Sequence, residues 1–206
     1  MSLKILSVEL VSSGSASTPP VGLRDDIGRF AFIGRSNVGK SSLINALVRQ
    51  TIARTSAAAG KTRLATVFRV IAEGGGGQGQ WTSYFVDLPG YGYARGGNES
   101  AKELAAVVNT YFKSNVGRAG AIFLLVDARH PGLASDIEAR QWIDATLGAP
   151  RVIATKIDKL SRSERTRNLR EFERVFAGAV LPVSSSTGEG LADLWTVIRN
   201  STLSGE

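Results

Sequence analysis

The sequence predicts an α/β fold: a mainly parallel six-stranded sheet with one antiparallel edge strand and helices on both faces. Three observations carry this expectation. Runs of β-type residues alternate with helical patterns along most of the chain. The run "AIFLLVD", Ala121 to Asp127, is apolar up to its last residue, as a strand covered on both faces must be. Finally, "GRSNVGKS", Gly34 to Ser41, sets two glycines, a lysine and a serine between a short apolar strand and a helix, the setting of a phosphate-binding loop.

Each element follows in chain order. Residues 1–27 read as an N-terminal arm, because "SSGSASTPPVGLR", Ser12 to Arg24, is rich in Ser, Gly and Pro. Residues 28–206 read as one domain without repeats. "RFAFIG" is the strand that leads into the loop, and the helix after it carries Leu43, Ile44, Leu47 and Val48 on one face. "LATVFRVI" (Leu64–Ile71) and "WTSYFVD" (Trp81–Asp87) form the antiparallel edge pair across "AEGGGGQGQ". That glycine run is either a mobile loop or a tolerated surface insertion. A helix over Ser100–Lys113 buries Leu104, Val107, Val108, Tyr111 and Phe112 at helical spacing. The strand ending at Asp127 comes next, then a helix over Asp136–Leu147, the strand "RVIATK" and a basic helix. The short strand "AVLPV" leads to a closing helix with Leu191, Leu194, Trp195 and Ile198.

Composition bounds the function. With 206 residues, 43 % hydrophobic and 21 % charged, the chain builds one core of fair size. It has no cysteine, which excludes disulfides and thiolate metal sites, and its one histidine, His130, excludes a multi-histidine site. The opening "MSLKILSVELV" is interrupted by Glu9 and lacks a cleavage context, and the apolar run Ala119–Val126 is too short to span a bilayer. A cytoplasmic monomer without a membrane partner is expected. The net charge of +7 suits a polyanionic partner such as RNA. Charge is densest from Lys159 to Arg174, with six basic and three acidic residues. There Leu169, Phe172 and Phe176 recur on one helical face, and Arg167, Arg170 and Arg174 fall on another. That second face is either simply solvated or RNA-facing.

The motifs carry the chemistry. In the phosphate loop, inward-pointing N–H groups and the helix N-terminus cradle an anion. Lys40 would reach the β- and γ-phosphates, and the Ser41 hydroxyl would ligate Mg²⁺. "DLPG", Asp87 to Gly90, stands at a strand end, where ligands of open α/β sheets bind. Asp87 can hold Mg²⁺ through water, and Gly90 lets a backbone N–H approach the γ-phosphate. The tetrapeptide is also a good turn, so its weight comes from pairing with the upstream loop. In "TKID", Thr155 to Asp158, a carboxylate can accept from guanine N1–H and the 2-amino group. Adenine offers neither, so Asp158 would be left unpaired at a cost of ~1–3 kcal/mol or more. The Lys156 stem would stack along the base; the plain alternative is a surface Lys-x-Asp pair. "VSSSTGEG", Val183 to Gly190, has small residues that let N–H groups reach the guanine carbonyl, or else it merely caps the last helix. The polar stretch "ARTSAAAGKTRL" has a length that in a compact domain is usually either functional or disordered. Thr62 is its best candidate for a hydroxyl that ligates Mg²⁺ when a γ-phosphate is present.

Taken together, "GRSNVGKSSLINAL", "GKT", "DLPGYGYA", "TKIDK" and "DAR" before a Pro-Gly turn resemble the EngB (YihA/YsxC) family, one of the TrmE-Era-EngA-EngB-septin-like P-loop GTPases. The resemblance runs from about Phe30 to Asn200. It implies an EngB-type G domain over residues 28–206 that hydrolyses GTP to GDP and phosphate at a low intrinsic rate. It further implies a switch role in assembly of the large ribosomal subunit, with rRNA and protein as partners, and a requirement in cell division and septation. Mg²⁺ is the implied cofactor, with K⁺ as a further candidate ion and Ser41 and Thr62 as metal ligands. Nucleotide contacts are implied for Gly34, Arg35, Ser36, Asn37, Val38, Gly39, Lys40 and Ser41 in the loop, and for Lys61, Thr62, Arg63 and Leu64 after the first helix. Asp87, Leu88, Pro89 and Gly90 would meet the γ-phosphate; Thr155, Lys156, Ile157, Asp158, Val183, Ser184 and Ser185 would meet the base. Lys40, Thr62 and Gly90 bear on the hydrolytic step. The family often has proline and glutamine where this chain has Ala59 and Arg63.

Tyr91 stands where many GTPases keep a water-orienting glutamine, so stimulation must come from an activator, a partner or a cation. Asn37 either ligates K⁺ or shapes the loop. Arg129 and Arg95 are candidates for an internal arginine finger. Two rival classes are a small-molecule kinase, in which "TKID" would have no role, and a non-hydrolysing scaffold of a septation complex.

Overall fold

Strand β2, Gly28–Gly34, is buried along its whole length because both of its faces are covered. Phe30 and Phe32 point to one side and Ala31 and Ile33 to the other, as strand alternation requires. The first side is closed by α1 (Lys40–Val48) and α5 (Leu191–Leu203), through Leu43, Ile44, Leu47, Leu194, Trp195 and Ile198. The second is closed by α2 (Gly97–Ser114), α3 (Ala134–Leu147) and α4 (Arg162–Phe176), through Val107, Val108, Tyr111, Ile143, Phe172 and Phe176. Phe112 is half-buried. The computed structural model describes residues 3–15, 17–18, 20–24, 27–53, 64–74, 79–91, 97–114 and 119–203.

The remaining strands are β1 (Lys4–Gly14), β3 (Ala65–Glu73), β4 (Gln80–Asp87), β5 (Ala119–Asp127), β6 (Arg151–Thr155) and β7 (Val180–Pro182). Their order across the sheet is β1-β3-β4-β2-β5-β6-β7. From β4 to β7 neighbours run parallel, and β3 is antiparallel to both β1 and β4. The expectation of six strands with one antiparallel edge strand is therefore corrected to seven, with the antiparallel strand one place inside the edge. The seventh strand comes from the stretch read as an arm. Polar residues such as Ser7, Glu9, Ser12 and Ser13 interrupt the apolar pattern of β1, and two register shifts break its pairing with β3. Its main-chain pairing with β3 places it in the sheet, and Ile5 and Val8 pack partly buried against the core.

The basic helix α4 starts at a capping box. Ser161 Oγ accepts from the Glu164 amide at 3.3 Å, and Glu164 Oε2 accepts from the Ser161 amide at 2.8 Å. Phe172 and Phe176 are buried, while Arg167, Arg170 and Arg174 are exposed on the opposite face. Among the described residues no helix is long and apolar enough to cross a membrane. The parallel run brings the carboxyl ends of β2, β4, β5 and β6 to one rim, where an open α/β sheet binds ligands.

Candidate functional site

At that rim the chain leaves β2 at Gly34 and turns through Arg35–Gly39 into α1. Asn37 and Gly39 have φ of 63° and 106°, the left-handed turns that curl the loop, and within it the Val38 amide donates to the Arg35 carbonyl at 3.1 Å. Gly34 is required for close approach: a Cβ there would lie 2.9 Å from Val38 Cγ1 and 3.0 Å from the Leu125 carbonyl oxygen. The N-terminus of α1 has no side-chain cap and no acidic residue in its first turn. Its free amides therefore remain available to an anion.

Lys40 and Ser41 converge on Asp87 at the end of β4. Lys40 Nζ pairs with Asp87 Oδ1, and Ser41 Oγ lies 3.4 Å from Oδ2. Both charged side chains are buried. A hydroxyl and a carboxylate side by side form the hard-oxygen donor set that Mg²⁺ requires, so these residues fit the ion. Ser41 and Asp87 would hold it, and bound there it neutralises charge on the phosphates. Lys61, Thr62 and Arg63 lie outside the described residues; Leu64 is exposed just before β3.

Beyond Asp87 the chain folds back onto the loop. The Leu88 amide donates to the Phe32 carbonyl at 3.2 Å, and the Tyr91 amide to the Gly34 carbonyl at 3.2 Å. The Ser36 amide donates to the Tyr91 carbonyl at 2.9 Å. Pro89 and Gly90 lie between these anchors, and a Cβ on Gly90 would come within 3.1 Å of Ser36 N and Oγ. A side chain there would be in tight contact with the phosphate loop, which would have to give by a few tenths of an ångström.

The other side of the rim is built from β6 and the turn after β7. Thr155 Oγ1 lies 2.7 Å from the Val38 carbonyl and 3.1 Å from that of Val126, tying the strand end to the loop. Lys156, with φ of 61°, sends Nζ to the Asn37 carbonyl at 2.6 Å and to Asp127 Oδ2 at 2.9 Å. Ile157 is buried and anchors the following turn, where its amide donates to the Val183 carbonyl at 3.4 Å. Ser184 Oγ donates to Asp158 Oδ1 at 2.7 Å, and that bond holds the carboxyl below its ordinary range against the opposing effect of burial. Asp158 is thus ionised and oriented. Val183 and Ser184 are buried beneath the turn, and Ser185 is half-buried.

One residue of the site opens "DAR", a motif that by itself assigns it no role. Asp127, at the end of β5, is buried and accepts from Lys156, from the Arg129 amide at 3.1 Å, and from Arg129 Nε and Nη2 at 2.9 and 2.8 Å. Burial alone would push its carboxyl up, but the Arg129 and Lys156 hydrogen bonds outweigh it and hold the group well below the usual range. Since the folded value is depressed, this stabilisation is present above about pH 4 and is lost as acid titrates the group. Arg129 is therefore engaged on that side of the rim, beside Asp127 and Asp158, rather than offered as a finger to the γ-phosphate. Arg95 lies outside the described residues. Replacing Asp127 with alanine frees both cations and is expected to weaken GDP binding about five- to thirtyfold, from the loss of ~1–2 kcal/mol of positioning. Titration with a fluorescent GDP checks this, and a change below twofold would leave Asp127 a packing residue only.

Comparison with known proteins bears on this geometry directly. Residues 29–156 match the family described as "50S ribosome-binding GTPase". The probable GTP-binding protein EngB of Thermotoga maritima is 40 % identical over 175 residues, covering 83 % of this chain and 85 % of that one. Its counterpart in an Anaeromyxobacter species is 38 % identical over 205 residues, covering 97 % and 93 %. A crystal structure of Aquifex aeolicus Era bound to GDP·AlF₄⁻ shares the fold with a TM-score of 0.70 at 23 % identity, over 87 % of this chain and 58 % of that one. With such identity spread along almost the full length of its relatives, this chain belongs to the EngB family of GTP-binding proteins and is a P-loop GTPase that hydrolyses GTP.

Proposed function

We propose that this protein is a slow GTP-driven switch in assembly of the large ribosomal subunit, acting in the cytoplasm with Mg²⁺ as cofactor, and that normal septation depends on it. The observation that carries the ribosomal part is the exposed arginine row of α4, in a chain whose family is described as ribosome-binding. Arg167, Arg170 and Arg174 line a shallow groove beside Pro131. A row of cations on one helical face suits the phosphates of rRNA.

The chemistry asked of this chain is positioning. The loop amides and Lys40 hold the β- and γ-phosphates, Ser41 and Thr62 ligate the ion, and the Gly90 amide meets the γ-phosphate. Nothing at position 91 can orient the attacking water, because the Tyr91 hydroxyl is donated to Asp136 at 3.0 Å. That supports a low intrinsic rate and a need for outside stimulation. Asn37 shapes the loop through its positive φ and gives its carbonyl to Lys156. Whether it also ligates K⁺ is read by comparing hydrolysis in potassium and sodium at equal ionic strength.

Sedimentation with large subunits tests the reading. Wild-type protein should pellet more with a non-hydrolysable GTP analogue than with GDP, and binding should fall steeply with salt. Changing Arg167, Arg170 and Arg174 together to glutamine should weaken binding and reduce the salt slope by up to about 2–3, with the nucleotide preference kept. Thr62→Ala should erase the preference and keep the slope. If the wild type shows no preference, the switch is wrong; if the triple variant is unchanged, α4 is a solvated face.

A further inference from the structure

Behind the phosphate loop, side chains from three elements meet. They are Arg35 of the loop, Tyr91 one residue after Gly90, and Asp136 in the first turn of α3. The Tyr91 hydroxyl donates to Asp136 Oδ1 at 3.0 Å, and Arg35 Nε lies 3.9 Å from the same oxygen, within ion-pair reach but too far for a hydrogen bond. Asp136 is 1 % exposed. Among the described residues, its Oδ2 and Arg35 Nε are both buried without a hydrogen-bond partner. A carboxylate this deep with one oxygen unsatisfied is costly to keep for stability alone. Burial raises its pKa, against the Tyr91 hydrogen bond and the Arg35 charge, while the helix N-terminus favours the ionised form.

Among the described residues, the backbone of Tyr91 carries the two main-chain bonds between the segment after β4 and the phosphate loop, one to Gly34 and one from Ser36. The residue next to Gly90 is therefore held at its amide, its carbonyl and its phenol. Arg35 is placed to take over Oδ1 if the phenol moves away. The carboxylate would then keep a partner in either arrangement.

We propose that Asp136 is a positioning residue for the γ-phosphate-sensing segment: through the Tyr91 phenol it sets how Asp87–Gly90 sits against the phosphate loop, and thereby the preference for GTP over GDP. This rests on the guanine-nucleotide reading of the site. Neither Tyr91 nor Asp136 needs to touch nucleotide; the effect passes through the backbone of Tyr91 to its neighbour Gly90.

The test compares the wild type with Asp136→Ala, Asp136→Asn, Tyr91→Phe and the Tyr91→Phe/Asp136→Ala double variant. Affinities for GDP and a non-hydrolysable GTP analogue are measured for each, with thermal unfolding alongside. Asp136→Ala and Tyr91→Phe should each lower the analogue-to-GDP preference about three- to tenfold, with GDP affinity itself within about twofold. The double variant should lose no more than either single one, as expected of two groups that act through one contact. Asp136→Asn, whose amide oxygen still accepts from the phenol, should recover most of the preference. Should Asp136→Ala not fold, Tyr91→Phe, which removes only one oxygen, decides. A preference unchanged within twofold in every folded variant overturns the proposal. So does a preference that rises, because the contact would then restrain the segment instead of positioning it. A wild type that fails to bind GDP at all overturns the nucleotide site first, and this role with it.

Discussion

Lys40→Ala is expected to cut the affinity for GTP about 10²- to 10⁴-fold and that for GDP, which lacks the γ-phosphate, about 10- to 10²-fold, with the folded protein still present in solution. Lys40 is buried at the start of α1, and its ammonium already faces the rim through its pair with Asp87. A charged donor to a phosphate contributes ~1.5–3 kcal/mol per hydrogen bond, and this lysine would reach two phosphates of GTP but only one of GDP. The truncation has a second consequence. Asp87 loses its cation while 5 % exposed, and an unpaired buried charge weakens a fold by ~3–5 kcal/mol. Unfolding and affinity are therefore measured on the same samples, with binding expressed per folded molecule. The Asp87 carboxylate left facing the loop also repels phosphate, so the loss is larger than that of a donor alone. A folded Lys40→Ala protein that binds GTP within about tenfold of the wild type would show that the phosphates do not sit in this loop.

Legibility from sequence followed the source of each residue's role. Gly34 and Gly39 could be placed because a close approach to β5 and a φ of 106° are demands that few residues meet. The motifs ending β4 and β6 could be placed because a parallel sheet presents strand ends on one rim. Helix faces were readable where burial is strict, as with Leu43, Ile44 and Leu47 or Phe172 and Phe176. Strand β1 was not readable, since backbone pairing with β3 holds it and its apolar residues, Ile5 and Val8 among them, are interrupted by Ser7 and Glu9 and only partly buried. Asp127 and Asp136 were not readable for a different reason. A carboxylate's role lies in its partners, and these sit 29 residues away for Lys156 and 45 for Tyr91. Only folding brings such pairs together. The γ-phosphate-sensing hydroxyl expected at Thr62 lies outside the described residues, so its place at the rim rests on the spacing of "GKT".

Asp158→Asn is expected to turn a guanine site into a xanthine site. In the wild type the carboxylate is ionised and held by Ser184, which donates to one oxygen at 2.7 Å and leaves acceptor capacity toward the rim. Guanine presents two donors there, N1–H and the 2-amino group, and a carboxylate accepts both. The asparagine amide keeps one acceptor, and its oxygen can still take the Ser184 bond. Its –NH₂, however, now faces a guanine donor, and two donors cannot pair. Sites built to bond a polar group reject a mismatched partner by up to ~10⁴–10⁵, so a fall in GTP affinity of at least about a hundredfold is expected. Xanthine carries an oxygen in place of the 2-amino group, which accepts from the new amide while N1–H still donates to its oxygen. The ranking should therefore invert, with xanthosine triphosphate binding more tightly than GTP to the variant and more weakly to the wild type. ATP should remain a poor ligand of both, because adenine N1 is an acceptor and position 2 carries only hydrogen. Competition of the three triphosphates against one fluorescent nucleotide reads all of this in a single experiment. A wild type that binds ATP as tightly as GTP, or a variant that still prefers GTP, would remove Asp158 from base recognition and return "TKID" to a surface turn.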